Sequence, residues 1–228
     1  MKTAKLLLLT GSVFVAFATP SFAGSAPSAH AGHEQVESLQ KSCKMCKKKQ
    51  KCSSTRHYKK SMEKMHHAMM IEYSGDADVD FVRGMIPHHQ GAIDMAKIQL
   101  KYGKDEALRD LAQRIILAQE EEIAFMQSWL RGRDSAYKSA NAKTATSTVE
   151  FEKIMADMHK NMTIKYSGNS DVDFARGMIP HHQGAIDMAW VLKREGSAPE
   201  LRAMLDDIIR SQSQEIDMMK EWLENNKK

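Results

Sequence analysis

The stretch Arg83–Ala96, RGMIPHHQGAIDMA, recurs without a change at Arg176–Ala189, an offset of 93 residues. The same offset pairs Tyr73-Ser74-Gly75 with Tyr166-Ser167-Gly168, and Asp78-Val79-Asp80-Phe81 with Asp171-Val172-Asp173-Phe174. Further along, Ile115-Ile116 pairs with Ile208-Ile209, Gln119 with Gln212, Glu122 with Glu215, Met126 with Met219, and Trp129-Leu130 with Trp222-Leu223. A gapless internal duplication means that any structural unit in one half occurs again in the other.

Each half reads as three helices. The first is predicted over roughly 57–73 and 149–166, stopping at Ser-Gly. The second starts near the Asp-x-Asp signal and runs to about 102 or 194. The third covers about 105–131 and 198–224, where acids and an early Pro suit a helix start. Leu108, Leu111, Ile115, Ala118, Glu122 and Met126 give it helical spacing with one polar intruder. Strand-like alternation is absent, and 12 Gly with 5 Pro exclude collagen-like or low-complexity chains. Two long helices per half imply an all-α four-helix bundle with a pseudo-twofold axis, its extra shorter helices covering faces or ends. The predicted organisation is a leader at 1–23, a polar arm at 24–56, a first repeat at 57–131, a linker at 132–148 and a second repeat at 149–228. The two repeats pack as one bundle.

The leader reads as a secretory signal. Lys2 and Lys5 precede the apolar run Leu6–Ala18, and Ser21-Phe22-Ala23 offers small residues for cleavage. That run of 13 is short of the about 20 residues that span a bilayer, so the expectation is export to a periplasm without stable membrane insertion. The arm holds Cys43, Cys46 and Cys52, whose C-x-x-C spacing fits a Cu(I) clamp and a disulfide equally well. A formal charge of +4, evenly mixed, gives no argument for nucleic acid.

The chemistry sits in two stripes. Met85, His88, His89, Ala92 and Met95 share one helical arc, as do Met178, His181, His182, Ala185 and Met188. Met62, Met65, His66 and Met69 lie on one helix face through steps of three and four, repeated by Met155, Met158, His159 and Met162. The plain alternative is core packing, since Met is an adaptable filler. Against it, a His interrupts the Met stripe at the same place twice, and a buried imidazole needs partners. Thioether and imidazole with few carboxylates favour copper, Cu(I) first and Cu(II) at the His pairs. Zinc would call for Cys, His and acids, and calcium or magnesium for oxygen ligands. Asp94 and Asp187 read as helix-surface acids rather than partners of the His pairs. Glu122 and Glu215 lie on a face that looks like core packing.

The doubled RGMIPHHQGAIDMA resembles the signature of the domain-of-unknown-function family numbered 305. That resemblance implies a ferritin-like fold. With its Met- and His-rich helices the chain looks most like the CopM-type periplasmic copper-binding members. The implied role is sequestration or chaperoning of copper, with hand-over to a copper transporter or cuproprotein compatible with exchangeable thioethers. A non-enzymatic protein is expected. The rival is a ferritin-like di-metal oxidase, which needs Glu-x-x-His twice; Glu63-Lys64-Met65-His66 has Ala156 at the matching acid position. A metal-free helical bundle that binds a protein partner is the third reading.

Overall fold

Asp76 caps the first of the long helices by accepting from the Asp78 and Val79 backbone N–H groups, and Asn169 repeats the cap on Asp171. The computed structural model describes residues 53–131, 133 and 142–226. The leader, the arm up to Cys52 with all three cysteines, and the middle of the linker lie outside the described residues. The elements are α1 (53–69), α2 (Ala77–Tyr102), α3 (Glu106–Arg131), a 3-10 turn (Ala142–Thr144), α4 (Thr146–Asn161), α5 (Ser170–Glu195), a second 3-10 turn (Pro199–Leu201) and α6 (Arg202–Asn225). There is no strand among the described residues, and no described helix is long and apolar enough to cross a membrane.

The first helix of each half sits earlier in the chain than its periodicity predicts. The reason is a carboxylate. Asp80 accepts from the Ser74 N–H, the Ser74 hydroxyl and the Gly75 N–H at 2.7–2.9 Å, and Asp173 does the same for Ser167 and Gly168. Those donors serve the start of the next helix, so the chain leaves α1 and α4 as an extended strap. Gly75 (φ 81°) and Gly168 (φ 74°) supply the left-handed turn in it. Pro87 and Pro180 fall inside α2 and α5, not at a helix start, and the helix runs through them.

α2 and α5 pack against each other, α3 lies on α2, and α6 lies on α5. The shorter α4 covers α5 and reaches α2, while α1 lies along α2, with Met65 against Gly91. The glycines of the duplicated motif are notches for methionines. A Cβ at Gly91 would stand 2.7 Å from Met65 Cγ, and one at Gly184 would stand 2.8 Å from Met158 Sδ. In α3 the buried face is Leu108, Leu111, Ala112, Ile115, Gln119, Met126 and Trp129, so Gln119 takes the place the apolar pattern assigns to Ala118, which is exposed.

Two carboxylates clasp the halves together. Asp78, at the start of α2, accepts from the Ser197 N–H and hydroxyl and the Ala198 N–H at 2.9–3.1 Å, in the α5–α6 connection. Asp171, at the start of α5, accepts from Gln99 Nε2, Lys104 N–H and Asp105 N–H at 2.7–3.2 Å, in the α2–α3 connection. Both are buried. Replacing Asp171 by Ala strands these donors, and the expected loss is about 2–3 kcal/mol of unfolding free energy. It is read as a lower urea midpoint, with Asp171→Asn costing less because one acceptor oxygen remains. An unchanged midpoint in Asp171→Ala would show that the clasp does not hold the halves.

Candidate metal centre

His88, His89, His181 and His182 are all fully buried. Neighbours on a helix point about 100° apart, so each pair serves two different directions rather than one arc. His88 and His181 face each other across the pseudo-twofold axis, ring centroids 3.8 Å apart, and His181 Nε2 donates to the His88 carbonyl at 3.1 Å. His89 turns to α3, where its Nε2 lies 2.6 Å from Glu122 Oε2; His182 makes the same 2.6 Å contact with Glu215 on α6. These two glutamates were read from sequence as part of a packing face. The available signal was a carboxylate at matched positions on the buried side of both third helices. Asp94 pairs with Lys64 and Gln90, and Asp187 with Gln183, so neither orients a histidine.

Burial without a countercharge pushes His88 and His181 well below the ordinary imidazole value, and the neighbouring histidines push the same way. Both nitrogens of His88, and Nδ1 of His89, His181 and His182, have no hydrogen-bonding partner among the described residues. Met85 and Met178 are fully buried one turn before the first His of each pair, and Met95 and Met188 reach across to Gly177 and Gly84 of the opposite half.

The second stripe splits by depth. Met65, Met69, Met158 and Met162 are buried, and Met62 and Met155 are half-buried; Met62 and the inner Met162 both line a groove of about 780 Å³. His66 of α1 and His159 of α4 meet in that groove, ring centroids 3.9 Å apart, with His159 Nδ1 aimed at His66 Nε2. His67, Glu63 and Tyr166 also line it, together with the lysines Lys59 and Lys165. Partial burial, then His159, lower the His66 pKa. Among the described residues no three His, Cys, Asp or Glu side chains converge as a metal cage. An ion here would be held by an imidazole pair, completed in the groove by thioethers.

A helical bundle whose duplicated halves bring imidazoles and thioethers together across their axis is the class of protein these features define. The chain belongs to the family described as Domain of unknown function (DUF305), which matches residues 78–223. It is similar to solved structures of CopM at 38% identity. The silver-bound form obtained by soaking gives a TM-score of 0.51 over 66% of this chain and 97% of that one. The Cu(II)-bound form gives 0.50 over 66% and 98%. It is also 43% identical over 56 residues to the uncharacterized protein L153 of Acanthamoeba polyphaga mimivirus, 25% of this chain; the chain spans 37% of that relative.

The depressed pKa values of His88 and His181 have a stability consequence. Below an unfolded-state pKa of about 6.5 the unfolded chain takes up protons that the folded core refuses. Stability is therefore full above that pH and falls as pH drops below it, by up to about 1.4 kcal/mol per pH unit for each ring. Urea unfolding of metal-free protein from pH 7.5 to 5.5 should show the decline. A flat profile would mean that both rings titrate normally.

Proposed function

We propose that this chain is an exported copper-binding protein that sequesters copper or passes it on, with Met and His side chains as ligands and copper as cargo rather than as a catalytic cofactor. The observation that carries the reading is the groove in which His66 and His159, one from each half, turn ring nitrogens toward each other beside Met62 and Met162. Two imidazole nitrogens face to face repel as lone pairs unless a proton or a cation lies between them. Thioethers in the same wall select a soft cation. The similarity to CopM, solved with silver and with Cu(II), supports the same ion class. The leader read at 1–23 supports export. Open thioether sites exchange quickly, which suits delivery to a copper transporter or cuproprotein. Carriage, not turnover, is the role this ligand set fits.

Anaerobic Cu(I) titration of the mature chain against a chromogenic chelator tests it. The parent should take up copper, and the His66→Ala/His159→Ala variant should bind at least one equivalent less. Met62→Leu/Met162→Leu should keep the fold and weaken that equivalent about tenfold or more. Equal binding in all three removes the groove from the reading. A folded parent that binds no copper overturns it.

A further inference from the structure

The groove in which His66 meets His159 holds more than an ion needs. A water takes about 30 Å³, so a copper ion on two imidazoles occupies a small part of a space of about 780 Å³. The chain also supplies an incomplete ligand set there. Glu63 and His67 line the groove, yet among the described residues no three His, Cys, Asp or Glu side chains converge, so neither closes a site around the imidazole pair. The thioethers of Met62 and Met162 suit Cu(I). Cu(II) favours four nitrogen or oxygen donors in a tetragonal plane. The imidazoles fill two of those places, and two stay open toward the groove.

Lys59 of α1 and Lys165 of the strap after α4 both line the groove, and both are exposed. Lys59 Nζ lies 5.8 Å from the centre of the Tyr166 ring, itself part of the wall. On α1, Lys59 stands seven residues before His66, about 10 Å along the helix axis, within reach of a ligand bound at that ring. One carboxylate, Glu63, opposes the two lysines. Two ammonium groups beside a site for a bare cation would repel it, whereas they attract a carboxylate. Nor does the duplication dictate them. His66 and His159 are counterparts at the offset of 93, but Lys59 corresponds to Glu152 and Lys165 to Glu72. Glu152 acts electrostatically on Tyr73 where Lys59 lies over its counterpart, Tyr166. The imidazoles are kept in both copies and the charge beside them is reversed.

We propose that the groove takes Cu(II) as its complex with a small dicarboxylate. His66 and His159 bind the metal, one oxygen of each carboxylate fills an open place in its plane, and Lys59 and Lys165 hold the outer oxygens. The chelate of a doubly charged cation with a doubly charged anion is neutral, so it sheds water at less cost than the bare ion. Two lysines and two open places match two carboxylates. The inference rests on the copper-binding reading of this groove and adds the anion to it.

Equilibrium dialysis of the mature chain against Cu(II) and radiolabelled malonate tests it. The groove's share is the difference between the parent and His66→Ala/His159→Ala. With Cu(II) present, the parent should retain one more copper and one more malonate than that variant, and malonate should tighten the copper equivalent rather than strip it. Lys59→Ala/Lys165→Ala should keep the copper and weaken malonate retention about 3- to 30-fold, the worth of two exposed ion pairs. Copper held without malonate, or malonate held equally by the lysine variant, overturns the proposal and leaves copper binding standing. Malonate retained as well without Cu(II) shows an anion-binding surface only, and overturns it too. A folded parent that takes up no copper sinks the copper reading with it.

Discussion

At Gly84 a side chain would meet the methyl end of Met188 at 3.4 Å, and at Gly177 that of Met95 at 3.0 Å. Each central helix thus offers a bare backbone position to a methionine from the other, and this mutual approach sets the distance between α2 and α5. The meeting of His88 and His181, their rings tilted by 45°, follows from that distance, since both project from the same contact. The Asp78 and Asp171 clasps then fix the helices lengthwise by tying the start of each to the loop that leaves the other. Close approach and register together turn two copies of one motif into a single core.

Duplication has a further consequence for chemistry. A stripe of Met and His within one half looks self-sufficient, but the imidazole contacts across the axis join residue i to residue i+93: His66 to His159, and His88 to His181. The copies differ around that symmetric centre. Tyr58, hydrogen-bonded to Ser170, corresponds to Phe151, and His67 in the groove wall corresponds to Lys160. The first half therefore brings one more imidazole to the shared groove than the second. The buried histidines and their glutamates are kept in both copies.

The helices, their number and their duplication were legible because they rest on local spacing: caps, glycines and apolar steps of three and four. What was not legible depends on contacts remote in sequence. Nothing near Asp78 announces that its carboxylate will be used by Ser197, 119 residues away. Nothing near His89 points to Glu122, 33 residues on in the next helix. Residues 70–73 were read as the last turn of the first helix because their composition permits one; Asp80 overrides that by taking the N–H groups of Ser74 and Gly75 that follow. The placing of Ala118 on the buried face of α3 was a drift in helical phase, and Gln119 corrects it. The Pro-His-His motif was found, but its adjacency concealed that its two rings look in different directions.

Which methionines can serve as ligands follows from what each would leave behind. Met65 and Met158 fill the notches at Gly91 and Gly184, so drawing either thioether out to an ion would open a cavity in the tightest part of the helix packing. Emptying a core position of this kind costs about 2–5 kcal/mol, comparable to what a single weak ligand returns. Met62 is half-buried on the wall of the groove and can swing toward His66 without vacating a notch. The same residue type therefore divides by depth into wedges and side chains free to reach the groove. A stripe that is uniform in sequence is free to move mainly along its outer edge, beside the imidazole pair.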